Sequence, residues 1–144
     1  MIYRMSAALL SLAGLFISAY LYLYKLGRIG GLACGTGGCE YVQLSPWSRV
    51  AGVEVALIGV LGYGGLLALS LAALQPGLAG RLWPAVLLAG LAGIGVLFTG
   101  YLTYLELFVI QAICRWCVAS AFVILAIFAA ALLDLRQLSR DRNA

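Results

Sequence analysis

Four long apolar runs, separated by short polar stretches, organise the chain. Residues 6–24 are free of charge and are followed by Lys25 and Arg28. Residues 53–74 form the second run, with Glu54 near its start and Gln75-Pro76-Gly77 ending it. The third, 82–105, carries no charge at all, and its Pro84 sits in the first turn, where a missing N–H costs little. The fourth begins near Arg115 and stays apolar over 116–133 until Asp134 and a polar tail. A hydrocarbon core about 30 Å thick takes about 20 helical residues per crossing, so each run is long enough to span. Strands of a lipid-facing barrel would alternate apolar and polar positions, which these runs do not. The pattern predicts an all-α integral membrane protein, a single four-transmembrane-helix bundle over residues 1–144, with helices at about 6–24, 53–74, 82–105 and 115–134 and a long first loop at 25–52. Arg4 ahead of the first run has the look of a signal peptide. The run is longer than a usual signal core, however, and no A-x-A-like site follows before Lys25, so the segment is expected to stay attached.

Composition agrees with a bilayer setting. Of 144 residues, 65% are apolar and 10% charged, whereas average soluble chains carry about 25% charged residues. Mean hydropathy is +1.08. Four crossings consume the length and leave no room for a soluble catalytic domain. The absence of histidine removes the commonest metal ligand, the usual proton shuttle and any bis-imidazole haem.

Four crossings also place both termini and the 75–81 turn on one side and the loops 25–52 and 106–115 on the other. Arg4, Arg81, Arg136, Arg140 and Arg142 lie with the termini, against Lys25, Arg28, Arg49 and Arg115 opposite. The positive-inside rule then favours cytoplasmic termini and extracytoplasmic loops. The net charge of +4 is explained by these flanks and gives no reason to invoke nucleic acid. Glycines are frequent in the spans, among them Gly59, Gly62, Gly64, Gly65, Gly90, Gly93, Gly95 and Gly100, and the expected role is tight packing of the second and third helices rather than a substrate groove. Trp47, Trp83 and Trp116 fall near predicted boundaries, as interfacial anchors do.

The chemistry rests on four cysteines, all on one side in this topology. Cys34 and Cys39 lie in the first loop within Cys34-Gly-Thr-Gly-Gly-Cys39, and Cys114 and Cys117 form Cys114-Arg-Trp-Cys117 at the start of the fourth helix. A Cys-x-x-Cys at a helix start sets two sulfurs one turn apart, close enough for a disulfide. Unpaired N–H groups and the helix dipole favour a thiolate there, with Arg115 adding to the effect. Thiolates exchange with disulfides and add to electrophilic rings, and lipid-soluble quinones present their heads at the membrane edge. The glycine-rich link between Cys34 and Cys39 can close a small ring or swing open at modest steric cost, which suits a shuttle. Structural zinc on four thiolates and purely structural disulfides compete with this reading. Haem attachment is excluded, because Val118 and not histidine follows Cys117.

These residues resemble a known family. The cysteine pair in the first loop, then Ser45 six residues after Cys39, then Gly52 and Val55-Ala-Leu-Ile-Gly59, are similar to the bacterial vitamin K epoxide reductase homologues. Tyr101-Leu-Thr-Tyr-Leu-Glu-Leu-Phe-Val-Ile-Gln-Ala-Ile-Cys-Arg-Trp-Cys-Val-Ala-Ser-Ala121 resembles that family's most distinctive segment, and Gly14-Leu-Phe-Ile-Ser-Ala-Tyr20 is similar as well. The resemblance covers nearly the whole chain. It implies a four-helix bundle around a quinone, ubiquinone or menaquinone, as substrate and no metal. It further implies Cys117 as the sulfur nearest the quinone, Cys114 as its partner, Cys39 exchanging with Cys114, and Cys34 meeting an external thioredoxin-like thiol oxidase. Such homologues sit in the bacterial inner membrane and pass two electrons from a periplasmic thiol oxidase to the quinone pool. Some relatives carry a fused thioredoxin-like domain; this chain ends at Ala144, so the partner is expected to be a separate protein. Glu54 stands where the family commonly has proline, and the first pair is spaced more closely than is usual.

Other polar residues carry weaker expectations. Ser45 before Pro46 reads equally as an N-cap or as a hydrogen-bond partner of quinone, and Ser120, one turn past Cys117, chiefly as a packing residue with substrate binding as the alternative. Glu54 and Glu106 sit at predicted helix ends, where an interfacial, snorkelling role is expected over a proton relay. The expected function is oxidation of the thioredoxin-like partner by disulfide relay with reduction of a quinone. The alternatives are a quinone-epoxide reductase of the same fold and a non-catalytic zinc-bound or disulfide-stapled membrane subunit.

Overall fold

A computed structural model describes residues 2–25, 49–50, 52–78, 80–110 and 115–143. Among the described residues four long helices carry the fold: α1 (Ile2–Lys25), α2 (Val55–Ala73), α3 (Leu82–Tyr104) and α4 (Arg115–Asn143). All four are long and apolar enough to cross a membrane, as the hydrophobic pattern requires. Two short strands, β1 (Arg49–Val50) and β2 (Val53–Glu54), pair antiparallel just ahead of α2, with Arg49 opposite Glu54 and Val50 opposite Val53. Gly52 in their turn has φ +84°, a left-handed conformation that a side chain would strain. The second helix therefore starts at Val55 and not at residue 53.

Helix ends depart from the apolar runs in a consistent direction. Charge ends a run of hydrophobicity without ending backbone hydrogen bonding, so α1 reaches back to Ile2 and α4 continues past Asp134 to Asn143. Arg136, Gln137, Ser139, Arg140 and Asp141 are exposed on that extension, so the polar tail is helix. Beyond α3 the chain passes directly into a six-residue π-helical segment, Leu105–Ile110. Leu105 keeps αR geometry, and its N–H is shared between the carbonyls of Leu102 and Tyr101, so no break separates the two.

The helices form a ring in which α1 packs on α2 and α4, and α3 on α4, while the seam between α2 and α3 is the most sparsely contacted of the four. The core is built of small and branched side chains, including Ala7, Leu66, Leu88, Ala92, Ile127 and Ala131. Large apolar groups such as Leu9, Phe16, Leu61, Leu97 and Phe122 point outward, as spans facing lipid require. The glycines of α2 and α3 include several at close approaches, made chiefly to α1 and α4. Gly65, 3.4 Å from Leu91 Cδ2, serves the α2–α3 seam, but Gly14 on α1 faces the ring of Tyr63, and Gly93 and Gly95 on α3 lie against Phe128 and Ile124 of α4. Close approach is concentrated where the helices are tightest, and the α2–α3 seam is left loose.

At the end of the bundle where α1 begins, Arg4 is buried rather than flanking the membrane. Its Nε donates to Asp134 Oδ2 at 2.9 Å and its Nη1 to the Ala73 carbonyl at 2.5 Å, so one guanidinium ties α1 to α4 and to the last turn of α2. Arg4, counted with the termini in the charge balance, thus has an internal partner in Asp134.

Candidate functional site

The opposite end of the bundle is hollow. A cavity of about 300 Å³ lies where α1 and α3 finish and α2 and α4 begin, and all four helices contribute to its wall. On α2 the wall follows one helical face, with Ala56, Gly59, Tyr63 and Leu66 at spacings of three and four residues. On α3 the same periodicity runs through Gly95, Thr99 and Leu102 and on to Glu106 in the π-helical segment. The walls are mostly aliphatic, and two of the hydroxyls present are turned to the protein. Thr103 Oγ1 donates to the Thr99 carbonyl at 2.9 Å, and Tyr63 Oη donates to the Ser120 carbonyl at 2.9 Å.

Cys117 lines this cavity and is half-buried. It is the third residue of α4 as described, toward the N-terminal end of the helix, where positive potential concentrates. Packing fixes that turn: the indole of Trp116 lies against Tyr20 of α1, ring centroids 5.2 Å apart at 52°. Trp116 is therefore half-buried between helices, not purely an interfacial anchor, and its Nε1 has no hydrogen-bond partner among the described residues. Trp83 is well exposed, as an anchor should be. Trp47 lies outside the described residues.

Ser120 also lines the cavity, one turn from Cys117 on the same face. Its Oγ is 2.7 Å from Tyr63 Oη, with either oxygen able to donate. This pair crosses the bundle between α2 and α4, two helices diagonal in the ring. Tyr63 belongs both to the core and to the cavity wall, so it forms the boundary between solid core and open space. Tyr63 was not singled out from the sequence, although the three- and four-residue spacing through Ala56, Gly59 and Leu66 contains the signal.

Glu106 overturns its expected interfacial placement. It is 5% exposed and lines the same cavity as Cys117. The reason is helical continuity: with no break at Leu105, the face carrying Thr99 and Leu102 carries Glu106 inward as well. Gly59, Gly62 and Gly95 also border the cavity, so part of the glycine content serves open space after all. Cys34, Cys39, Cys114, Ser45 and the loop that holds the first cysteine pair lie outside the described residues, as does the side chain of Glu54.

Among the described residues the arrangement is a thiol, several hydroxyls including the Tyr63–Ser120 pair, and a carboxyl facing a largely apolar space inside a membrane bundle. It suits a flat, lipid-soluble molecule with polar groups at its edge. Comparison with known families gives one finding: the family model described as the vitamin K epoxide reductase family matches residues 5–132, a stretch that includes all four cysteines.

Proposed function

The chain belongs to the vitamin K epoxide reductase family, membrane oxidoreductases with quinone-type substrates, and from that premise we propose that it oxidises a reduced thioredoxin-like thiol oxidase and reduces a membrane quinone. In this reading the external dithiol exchanges with the Cys34/Cys39 pair, Cys39 passes the reducing equivalents to Cys114, and Cys117 delivers them to the quinone. The dithiol couple and the acceptor match in stoichiometry. Forming the Cys114–Cys117 disulfide releases two electrons and two protons, and converting quinone to quinol takes up both. Oxidation kept going by quinone is also how bacterial periplasmic disulfide formation is driven, which supports this direction of flow. The corresponding topology has cytoplasmic termini and both cysteine pairs on the extracytoplasmic face of the bacterial inner membrane.

The observation that carries the proposal is the placement of Cys117 on an apolar cavity of about 300 Å³ within the spans. That volume is at the lower end of small-molecule sites, which run from about 300 to 1,000 Å³, and fits a quinone head with its tail leaving along a helix seam. The sparsely contacted α2–α3 seam suits that exit. Ser120, braced by Tyr63, lines the same cavity one turn from Cys117.

Purified protein in detergent, supplied with dithiothreitol and a short-chain ubiquinone or menaquinone, tests the reading. Quinol should form catalytically, and Cys117→Ser should abolish turnover while leaving the helical content intact. Undiminished turnover by Cys117→Ser would remove Cys117 from the electron path.

A further inference from the structure

Glu106 has no part in the relay described above, yet among the described residues it is the acidic side chain on the cavity wall. It lies within the span Leu82–Val109 and is 5% exposed. An ionisable side chain at such a position is costly to hold and marks a functional site more often than a structural one. The segment that carries it, Leu105–Ile110, is π-helical, a rare geometry that recurs at functional sites. Helix 3 thus continues past its ordinary α-turns and presents a carboxyl to the cavity into which Cys117 opens.

The chemistry proposed for this cavity needs such a group. Two protons must leave sulfur and two must arrive on quinone oxygens, in a space whose walls are mostly hydrocarbon and offer water little hold. Two of the hydroxyls on the wall are engaged within the protein, Thr103 with the Thr99 carbonyl and Tyr63 with Ser120. Hydroxyls also exchange protons poorly near neutral pH, whereas a carboxyl does so readily.

We propose that Glu106 relays protons between the cysteine pair and the quinone; this rests on the quinone-reductase reading above. A Glu106 carboxylate oxygen takes the proton given up by a thiol, and the resulting carboxylic acid hands it to a quinone oxygen, so that Glu106 is unchanged over a cycle. Across the cycle two S–H bonds are replaced by one S–S bond, two O–H bonds form on the ring, and one electron pair moves from sulfur to quinone. Both electrons and both protons come from the dithiol, and no further reductant or oxidant enters.

The test uses the purified full chain with dithiothreitol and whichever short-chain quinone the unaltered protein turns over faster, comparing Glu106→Gln and Glu106→Asp. Glutamine keeps the shape and hydrogen bonding but cannot shuttle a proton; aspartate keeps the carboxyl. Glu106→Gln should lower kcat by about 100-fold with little change in the KM for quinone, in line with loss of a general acid–base group. Glu106→Asp, which keeps the carboxyl, should recover much of that loss. Turnover by Glu106→Gln within about threefold of the unaltered protein would overturn the relay alone. Equal losses in both variants, expressed mainly in KM, would assign Glu106 to shaping the cavity and would also overturn it. Absence of quinone turnover by the unaltered protein would instead remove the reading on which the relay rests, and the relay with it.

Discussion

Tyr63 shows how much of the site depends on a single contact. Its ring is held on one side by Gly14 of α1, and its hydroxyl reaches Ser120 of α4, so three helices meet through one side chain. A methyl group added at Gly14 would fall inside the Tyr63 ring, forcing it from its place. Gly14→Ala should therefore destabilise the bundle by about 1–3 kcal/mol, the usual cost of overpacking, and weaken quinone turnover by freeing Ser120. Gly64→Ala makes the internal control, since nothing lies within 4 Å of the added methyl, and it should be neutral or stabilising by up to about 1 kcal/mol. Thermal unfolding of the two variants in detergent checks the pair; equal melting temperatures would show that the Gly14–Tyr63 contact carries no weight. Residue identity made the cysteines conspicuous in the sequence, because four thiols in two close pairs in a histidine-free membrane chain have few other uses. It did not do the same for Tyr63, one of eight tyrosines, whose importance comes from what it touches.

At the level of elements, the two ends of the bundle are built differently. One end is closed by the Arg4–Asp134 pair and the Ala73 carbonyl; the other is left open around Cys117. Breaking a buried ion pair from one side leaves a charge uncompensated and costs about 3–5 kcal/mol, whereas replacing both partners with apolar groups of similar size is often tolerated. Asp134→Leu and Arg4→Met should each destabilise strongly, and the double variant should be more stable than either single one. A double variant that unfolds at the sum of the two single losses would show that the pair acts as two independent contacts. The spans themselves were legible because bilayer thickness dictates their length. Their ends were not, since hydrophobicity stops at Asp134 and Leu105 while backbone hydrogen bonding continues. That continuation is what turns Glu106 inward and converts an expected surface charge into a cavity group.

On the scale of the whole molecule, four spans enclose a cavity at the end where α4 begins, and helix ends from distant parts of the chain supply its thiol, hydroxyls and carboxyl. The order of motifs along the sequence pointed to the family, which the match over residues 5–132 establishes. The cavity could not be read in the same way. Whether glycines and small side chains fill a seam or leave it open depends on how four helices lean together, and periodicity along any one of them is the same in both cases. The placement of Cys117 on that cavity is the point at which fold and proposed chemistry meet.

Its most direct test is photolabelling of the purified protein with an azido-substituted short-chain quinone, followed by mass-spectrometric mapping and competition with unlabelled quinone. The account predicts competable label on the cavity faces of α3 and α4, on peptides containing Phe98, Thr99 and 117–124. Competable label confined to the lipid-facing surface or to the Arg4–Asp134 end, with the Cys117 peptide untouched, would contradict it.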